Sequence, residues 1–282
     1  MKRIILIVLL MNTWNAFSQP PLHVMTFNIR LNTASDSLNA WPYRKDIAAS
    51  QVLFYNAHLL GVQEALHDQM MDLRQRLPNY QYFGGGRDDG KTKGEYSAIF
   101  YDTTRLLRNN GGMFWLSQTP DIPGSVGWDA AITRMVTWCY FMDRATNTAF
   151  YAFNTHFDHM GKQARAESAK LLLRKIQEIA GTTPVVVTGD FNATPSDEPI
   201  RIITNTTDAG HLTDTKAVTQ TPHYGPTGTF NGFGPREIHD NPIDFIFIRN
   251  GNTKVLKHAT LSETWNGRFS SDHFPVYAEL VF

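Results

Sequence analysis

Cysteine is almost absent. Cys139 is the single one in 282 residues, which excludes an intrachain disulfide framework and any metal site built on clustered cysteines. A surplus of charge is absent as well: 26 Lys and Arg balance 26 Asp and Glu. That excludes a strongly basic nucleic-acid clamp, though not a local basic groove. No apolar run is long enough to span a bilayer, and no low-complexity linker or fixed-period repeat breaks the chain. What is present is a globular composition, 42% hydrophobic and 18% charged, which excludes disorder. The length suits one large α/β domain or two ordinary ones.

The first residues read as an export signal. Met1-Lys2-Arg3 is a short basic start, Ile4 to Met11 is apolar, and Ala16-Phe17-Ser18 offers small residues where a signal peptidase reads. Residues 1–18 are expected to be a secretory signal peptide and residues 19–282 the working domain, secreted or periplasmic. No cysteine follows the cleavage site, so a lipoprotein anchor is excluded. Removing Lys2 and Arg3 leaves 24 basic against 26 acidic residues, a net charge of −2. A monomer without stable membrane insertion is expected.

Short apolar runs alternate with helical patterns. Strands are expected at His23–Ile29, Leu59–Val62, Tyr96–Tyr101, Val136–Met142, Ala149–Asn154, Pro184–Thr188, Ile243–Ile248, Lys254–Leu261 and Val276–Phe282. Helices are expected at Tyr43–Asn56, Leu66–Leu77 and Lys162–Ala180. In the last, Ala169, Leu172, Leu173, Ile176 and Ile179 recur at helical spacing and Gly181 follows. Strands occur both as hairpin-like neighbours and with helices between them. That predicts mixed sheets with helices outside.

Polar residues gather where these strands end. Asn28 closes the first, and Glu64 follows Gly61-Val62-Gln63. His156 and Asp158 follow Asn154-Thr155, while Asp190 and Asn192 follow Thr188-Gly189. Asp244 opens a strand, and Asp272-His273 precedes the last. One such residue is usually a cap or turn former. Six such strand ends in one chain are what a convergent metal and phosphate site would need. Glu64, Asp190 and Asp272 are hard oxygen ligands, with Asn28 and Asn192 as neutral oxygens, a set that suits Mg2+ or Mn2+. His156 and His273 can move protons near neutral pH, and Asp244 would orient His273 if the two meet. No serine or cysteine stands out as a nucleophile, so an activated water is the natural attacker.

In order along the chain stand Met25-Thr26-Phe27-Asn28-Ile29-Arg30, Gly61-Val62-Gln63-Glu64, Asn154-Thr155-His156-Phe157-Asp158-His159, Gly189-Asp190-Phe191-Asn192, Ile243-Asp244-Phe245-Ile246 and Ser271-Asp272-His273-Phe274-Pro275-Val276. This series resembles the endonuclease/exonuclease/phosphatase superfamily, from about His23 to Phe282. It looks most like the secreted bacterial members, which Phe114-Trp115-Leu116-Ser117 and Arg134-Met135-Val136-Thr137-Trp138 also resemble. The resemblance implies a four-layer α/β/β/α sandwich of two mixed sheets, as in deoxyribonuclease I, with the site at one edge. It further implies Glu64 as the main metal ligand, assisted by Asn28 and Asp272. Asp190 would orient or deprotonate the attacking water, and Asn192 would hold the phosphate. Asp244 would pair with His273, which acts as acid/base or stabilises developing charge. His156 would contact the phosphate or help the leaving group.

Arg134 is a candidate phosphate clamp, and Asp158 a candidate to orient it or His156. Arg30 is expected to alternate with Asn28 on its strand, with nothing fixing its rotamer. Gly85 to Thr92 satisfies the Walker A pattern letter for letter. A strand is expected after it where a phosphate-binding loop needs a helix, so ATP is not expected there. Asn154 stands where a zinc hydrolase motif of similar spelling needs a histidine, which argues against zinc. Among the aromatics, Trp128 and Trp265 are the candidates for a site rim.

These readings point to phosphodiester hydrolysis of the nuclease type, on nucleic acid or a phospholipid headgroup. The reason is a thin supply of cations for a dianionic monoester: Arg30, Arg134, His156 and His273. A lipid or sugar phosphate phosphatase on the same site is the alternative. A catalytically inactive binding module is a third class, disfavoured by the intact set Glu64, Asp190, Asn192, Asp272 and His273.

Overall fold

The computed structural model describes residues 19–234, 241–249 and 251–282. The expected leader, residues 1–18, lies outside them. The described elements in chain order are β1 (Leu22–Asn28), α1 (Lys45–Phe54), β2 (Leu59–Gln63), α2 (His67–Arg76), β3 (Tyr80–Phe83), β4 (Ile99–Asp102), β5 (Leu106–Trp115), β6 (Met135–Asp143), β7 (Thr148–His156), α3 (Lys162–Ala180), β8 (Val185–Asp190), α4 (Glu198–Ile203), β9 (Leu212–Asp214), α5 (Thr215–Val218), β10 (Asp244–Arg249), β11 (Lys254–Thr260) and β12 (Val276–Val281). They form two six-stranded sheets, ordered β11-β12-β1-β2-β4-β3 and β5-β6-β7-β8-β10-β9. Among the described strands only β1–β2 and β7–β8 pair in parallel, so both sheets are mixed.

Three apolar layers hold the sandwich together. Ala48 and Val52 of α1 and Met70 and Leu73 of α2 pack on Met25, Phe27, Leu60 and Val62 of the first sheet. Leu172 and Ile176 of α3 and Ile200 of α4 pack on Phe153, Val185, Val187 and Phe247 of the second. Between the sheets lie Leu22, Val24, Leu59 and Leu280 against Phe141, Phe150, Val186 and Ile246. The four-layer α/β/β/α sandwich expected from the sequence is therefore the observed fold. Cys139 is buried in this middle layer.

Strand alternation explains how the middle layer becomes a site. Successive side chains point to opposite faces, so Leu22, Val24, Thr26 and Asn28 of β1 share the inner face. So do Val186, Thr188 and Asp190 of β8, and Ala152, Asn154 and His156 of β7. The layer runs from apolar at one end to polar at the other. At the transition Asn154 ties the sheets together. Its Nδ2 donates to the carbonyls of Val62 at 2.8 Å and Ala98 at 2.9 Å, while its Oδ1 accepts from Gln63 Nε2 at 2.7 Å and Thr188 Oγ1 at 3.0 Å. Asn154 is thus a structural joint.

Gly61 is required by the close approach at this joint. A Cβ there would stand 2.1 Å from Thr188 Oγ1 and 2.5 Å from Asn154 Oδ1. Gly61→Ala is expected to destabilise the fold by about 2 kcal/mol, the scale of overpacking a core. The check is the urea midpoint; an unchanged midpoint would show that the sheets can part there at little cost.

The structure also differs from several expectations. The strand expected from Tyr96 begins at Ile99, Tyr96 making only isolated bridges to Ala65 and Gly86. Arg30 does not continue β1. It sits at φ 57°, and its guanidinium is fixed by Asp36, which accepts from Nε and Nη2 at 3.0 Å each. Strands β3, β5 and β9 and helices α4 and α5 were not expected.

Candidate active site

The polar end of the middle layer opens into a cleft of about 550 Å3, lined by residues of both sheets. From the first sheet come Glu64, Asp272 and His273, and from the second Arg134, His156 and Asp190. Asn28 lies beneath them, fully buried. Each predicted strand end delivers its residue to this one place. Glu64 at φ 64° and Asn192 at φ 46° take left-handed backbone just past their strands, and both line the cleft. Such backbone is tolerated by asparagine but costs a glutamate of order 1 kcal/mol.

Asn28 is the hub. Its Nδ2 donates to Glu64 Oε1 and to Asp190 Oδ2 at 3.0 Å each, and its Oδ1 accepts the N–H of Arg30 at 3.0 Å. Asn28, expected to supply an oxygen to a metal ion, here turns its nitrogen to the two carboxylates and holds them. Ser271 Oγ donates to the Asn28 carbonyl at 2.7 Å, and Arg44 Nη1 donates to the carbonyls of Ile29 and Ser270 at 2.8 Å each. These bonds fasten the loop carrying Asp272 and His273 to the end of β1. Arg44 is 1% exposed and stacks near Trp41 and Phe233. The sequence carried no signal for this role beyond an arginine at a helix start.

His273 Nδ1 lies 2.9 Å from Asp244 Oδ2, so the expected pair forms. Its Nε2 faces Asp190 Oδ2 at 3.8 Å. Burial disfavours the charged ring, but the Asp244 charge and hydrogen bond outweigh it, with Asp190 and Asp272 adding to them. The net effect holds the His273 imidazolium well above the ordinary histidine range. Asp190 and Asp272 are raised, each chiefly by burial. Asp244 repels Asp190 further and Glu64 repels Asp272. The protein alone thus under-compensates its anions in the cleft.

His156 lines the cleft, its Nε2 3.4 Å from Asp190 Oδ2. Asn192 Nδ2 donates to the Phe157 carbonyl at 3.0 Å, which fixes the amide orientation, and lies 3.0 Å from His156 Nε2. That ring nitrogen is therefore an acceptor. Burial first, then the charges of Arg134 and Arg87, hold His156 well below the ordinary range. Both effects favour the neutral ring. Asn192, expected to hold the phosphate, lines the cleft with its amide nitrogen shared between the Phe157 carbonyl and His156 Nε2. Asn192 also donates its backbone N–H to Asp190 Oδ1 at 2.9 Å.

Asp158 does not face the cleft. Its Oδ1 accepts from the N–H groups of Met160 and Gly161 at 2.9 and 2.7 Å, and its Oδ2 stands 3.6 Å from Arg134 Nε. It stands against Arg134, one of the two partners expected for it, and it is not among the residues that line the cleft. Arg134 is 4% exposed and lines the cleft, its Nη2 donating to His159 Nδ1 at 3.2 Å. Its Nε and Nη1 are buried without a hydrogen-bond partner among the described residues. His159 and Glu95 also line the cleft, and Arg87 clasps Glu95 at 2.7 and 2.8 Å. The Walker-like loop thus reaches the rim through its flank. Trp128 packs on the outer core and Trp265 lines a separate groove, so neither lines the cleft.

The acidic cluster fits a hard divalent cation. Ligand atoms of Glu64, His156 and Asp190 lie within 4.8 Å of one another, as do those of Asp190, Asp244 and His273. Asp272 lines the same cleft. Arg30 stands beside this group, 4.0 Å from Glu64 Oε2 and 3.7 Å from Asp272 Oδ2.

Comparisons with known proteins agree with this geometry. A model of the Endonuclease/Exonuclease/phosphatase family matches residues 13–273. An endonuclease/exonuclease/phosphatase from Bacteroides vulgatus is 41% identical, with 93% of this chain and 98% of that chain covered and a TM-score of 0.88. A mannosyl-6-phosphatase from Bacteroides thetaiotaomicron is 38% identical, with 93% and 100% covered and a TM-score of 0.87. An uncharacterized protein of Acanthamoeba polyphaga mimivirus is 26% identical over 181 residues, 61% of this chain and 67% of that protein.

Proposed function

The chain belongs to the Endonuclease/Exonuclease/phosphatase family, and from that premise we propose that it is a divalent-metal-dependent phosphatase acting on phosphate monoesters of small sugars. The observation that carries the reading is Arg134: a guanidinium that lines the cleft with Glu64, Asp190 and Asp272, its Nη1 without a hydrogen-bond partner among the described residues and its Nε facing Asp158 at 3.6 Å. A phosphate oxygen is the natural acceptor for such donors, and a planar fork can bind two oxygens at once. The cleft volume of about 550 Å3 suits a small molecule. The similar B. thetaiotaomicron protein bears the name of a sugar phosphatase. The diester preference expected from the sequence rested on a thin supply of cations. The same cations are present here, so the choice of the monoester rests on the place of Arg134 at the cleft and on the likeness to the sugar phosphatase.

Glu64, with Asp272 and Asp190 beside it, would hold Mg2+ or Mn2+. The bound ion would lower the pKa of a water and draw charge from the phosphate. Asp190, positioned by Asn28 and by the Asn192 N–H, takes the proton of the attacking water. His273, kept charged by Asp244, presents Nε2–H to the phosphoryl oxygens, and Arg134 binds another of them. Asn28, Asn192 and Asp158 hold these groups in place. Export by a leader at residues 1–18, with residues 19–282 as the mature domain outside the cytoplasm, is part of the same proposal.

The test is a panel at fixed magnesium: mannose 6-phosphate, 4-nitrophenyl phosphate, bis(4-nitrophenyl) phosphate, plasmid DNA, RNA, phosphoinositides and sphingomyelin. Catalytic efficiency on the monoesters is expected to exceed that on every diester. Arg134→Ala is expected to lower monoester efficiency by about 100-fold, the scale of one lost charge-assisted contact in a cleft, and Arg134→Lys is expected to restore little of it. Higher efficiency on any diester would return the reading to phosphodiester hydrolysis.

A further inference from the structure

Asp244 is used on one side only. Its Oδ2 meets His273 Nδ1 at 2.9 Å, while its Oδ1 is buried with no hydrogen-bond partner among the described residues. Behind it, away from the cleft, is a small chamber lined by Asp244, Thr229, His258, Thr260, Asp214 and Lys216, among others. Its free volume of about 10 Å3 is close to the least that holds one water. His258 reaches the chamber from β11, where it pairs with Ala278 of the inter-sheet core.

The protons around the chamber can be assigned one by one. Thr229 Oγ1 accepts the N–H groups of Ile243 at 3.0 Å and Asp244 at 3.2 Å, so its hydroxyl hydrogen is left to donate. His223 Nε2 lies 3.0 Å from the Pro226 carbonyl and must carry the hydrogen there. In a neutral ring its Nδ1 is then an acceptor. His258 Nδ1, 2.9 Å away, donates to it, which leaves His258 Nε2 as a lone pair. Burial, then His223 and Lys216, pull His258 down to about 3, so its ring is neutral.

We propose that one buried water, held by Thr229 and His258 against Asp244 Oδ1, locks the Asp244 carboxylate, and that His258 is thereby a positioning residue for the Asp244–His273 pair. The water accepts from Thr229 Oγ1 and donates to Asp244 Oδ1 and His258 Nε2, the three bonds typical of a buried water. A carboxylate bonded at one oxygen can swing about its own axis; one bonded at both keeps Oδ2 on His273. The proposal rests on the reading of that pair as catalytic, so its test includes measurements that need no substrate.

His258→Leu removes the acceptor and is expected to lower kcat about tenfold, the cost typical of losing an orienting partner, with KM unchanged. His258→Gln, which keeps an acceptor, is expected to restore most of it. In proton NMR, the His273 Nδ1–H signal, assigned by its loss in His273→Ala, should move in His258→Leu and return in His258→Gln. A high-resolution crystal structure of the wild-type protein should show a water bonded to both Asp244 Oδ1 and His258 Nε2. Wild-type kcat and an unmoved signal in His258→Leu would overturn the proposal. So would a crystal structure in which Asp244 Oδ1 meets a protein atom and no water. Absence of activity in the wild-type protein would instead refute the proposed function, while the NMR and crystallographic results still decide this one.

Discussion

Asp190→Asn and His273→Ala are each expected to lower the turnover number by roughly 100-fold or more, the scale of lost acid–base help. Asp190 is held at both oxygens, by the Asn192 N–H and by Asn28 Nδ2. An asparagine can keep only one of these acceptors. Its neutral side chain also relieves the repulsion from Asp244, which offsets part of that loss. The melting temperature should therefore change little while the proton acceptor disappears. His273→Ala removes the charged Nε2–H and leaves Asp244 without its partner. The double mutant is expected to cost much less than the product of the single losses, because one group serves the water and the other the phosphate in a single step. Turnover near wild type in either single mutant would refute the assignment.

Chelation is expected to have the larger effect. EDTA should abolish hydrolysis and Mg2+ or Mn2+ should restore it, since the cleft gathers Glu64, Asp190 and Asp272 with too little positive charge of its own. Glu64→Gln should weaken metal affinity, measured by calorimetry, together with activity. Glu64 also accepts from Leu31 N at 3.2 Å and Asn28 Nδ2 at 3.0 Å. A glutamine can retain one of these bonds, so loss of the charge can be separated from loss of the fold by circular dichroism. Full activity in EDTA, or rescue by zinc alone, would sink this assignment.

The site was legible in the sequence because its residues follow buried apolar runs at strand ends, where a polar side chain is conspicuous. Helix α3 was legible to its last residue because its apolar face repeats over 19 residues and a glycine stops it. Strand β5 was not legible. Its Arg108-Asn109-Asn110-Gly111-Gly112 stretch has no alternation, lies at a sheet edge and carries a register shift, so only its pairing with β6 makes it a strand. The division of labour was not legible either. Whether Asn28 offers oxygen or nitrogen depends on Asp190, 162 residues away, and the task of Arg44 depends on Ser270, 226 residues away. Composition and local spacing contain no trace of such partners.

The graded middle layer makes the chemistry a gauge of alignment between two plates. Glu64, Asn28 and His273 ride on one sheet, Asp190, His156 and Asp244 on the other, and neither plate carries a working set. Each strand is a stiff lever: Val185 at one end of β8 and Asp190 at the other are roughly 17 Å apart at the usual rise per residue. A small rotation about the apolar end, from a reshaped Phe141 or Phe150, would be magnified at the tip. Turnover should therefore register disturbances of the hydrophobic layer too slight to alter the melting curve. A protein of this build has little freedom to vary its interior at constant activity, even far from the substrate.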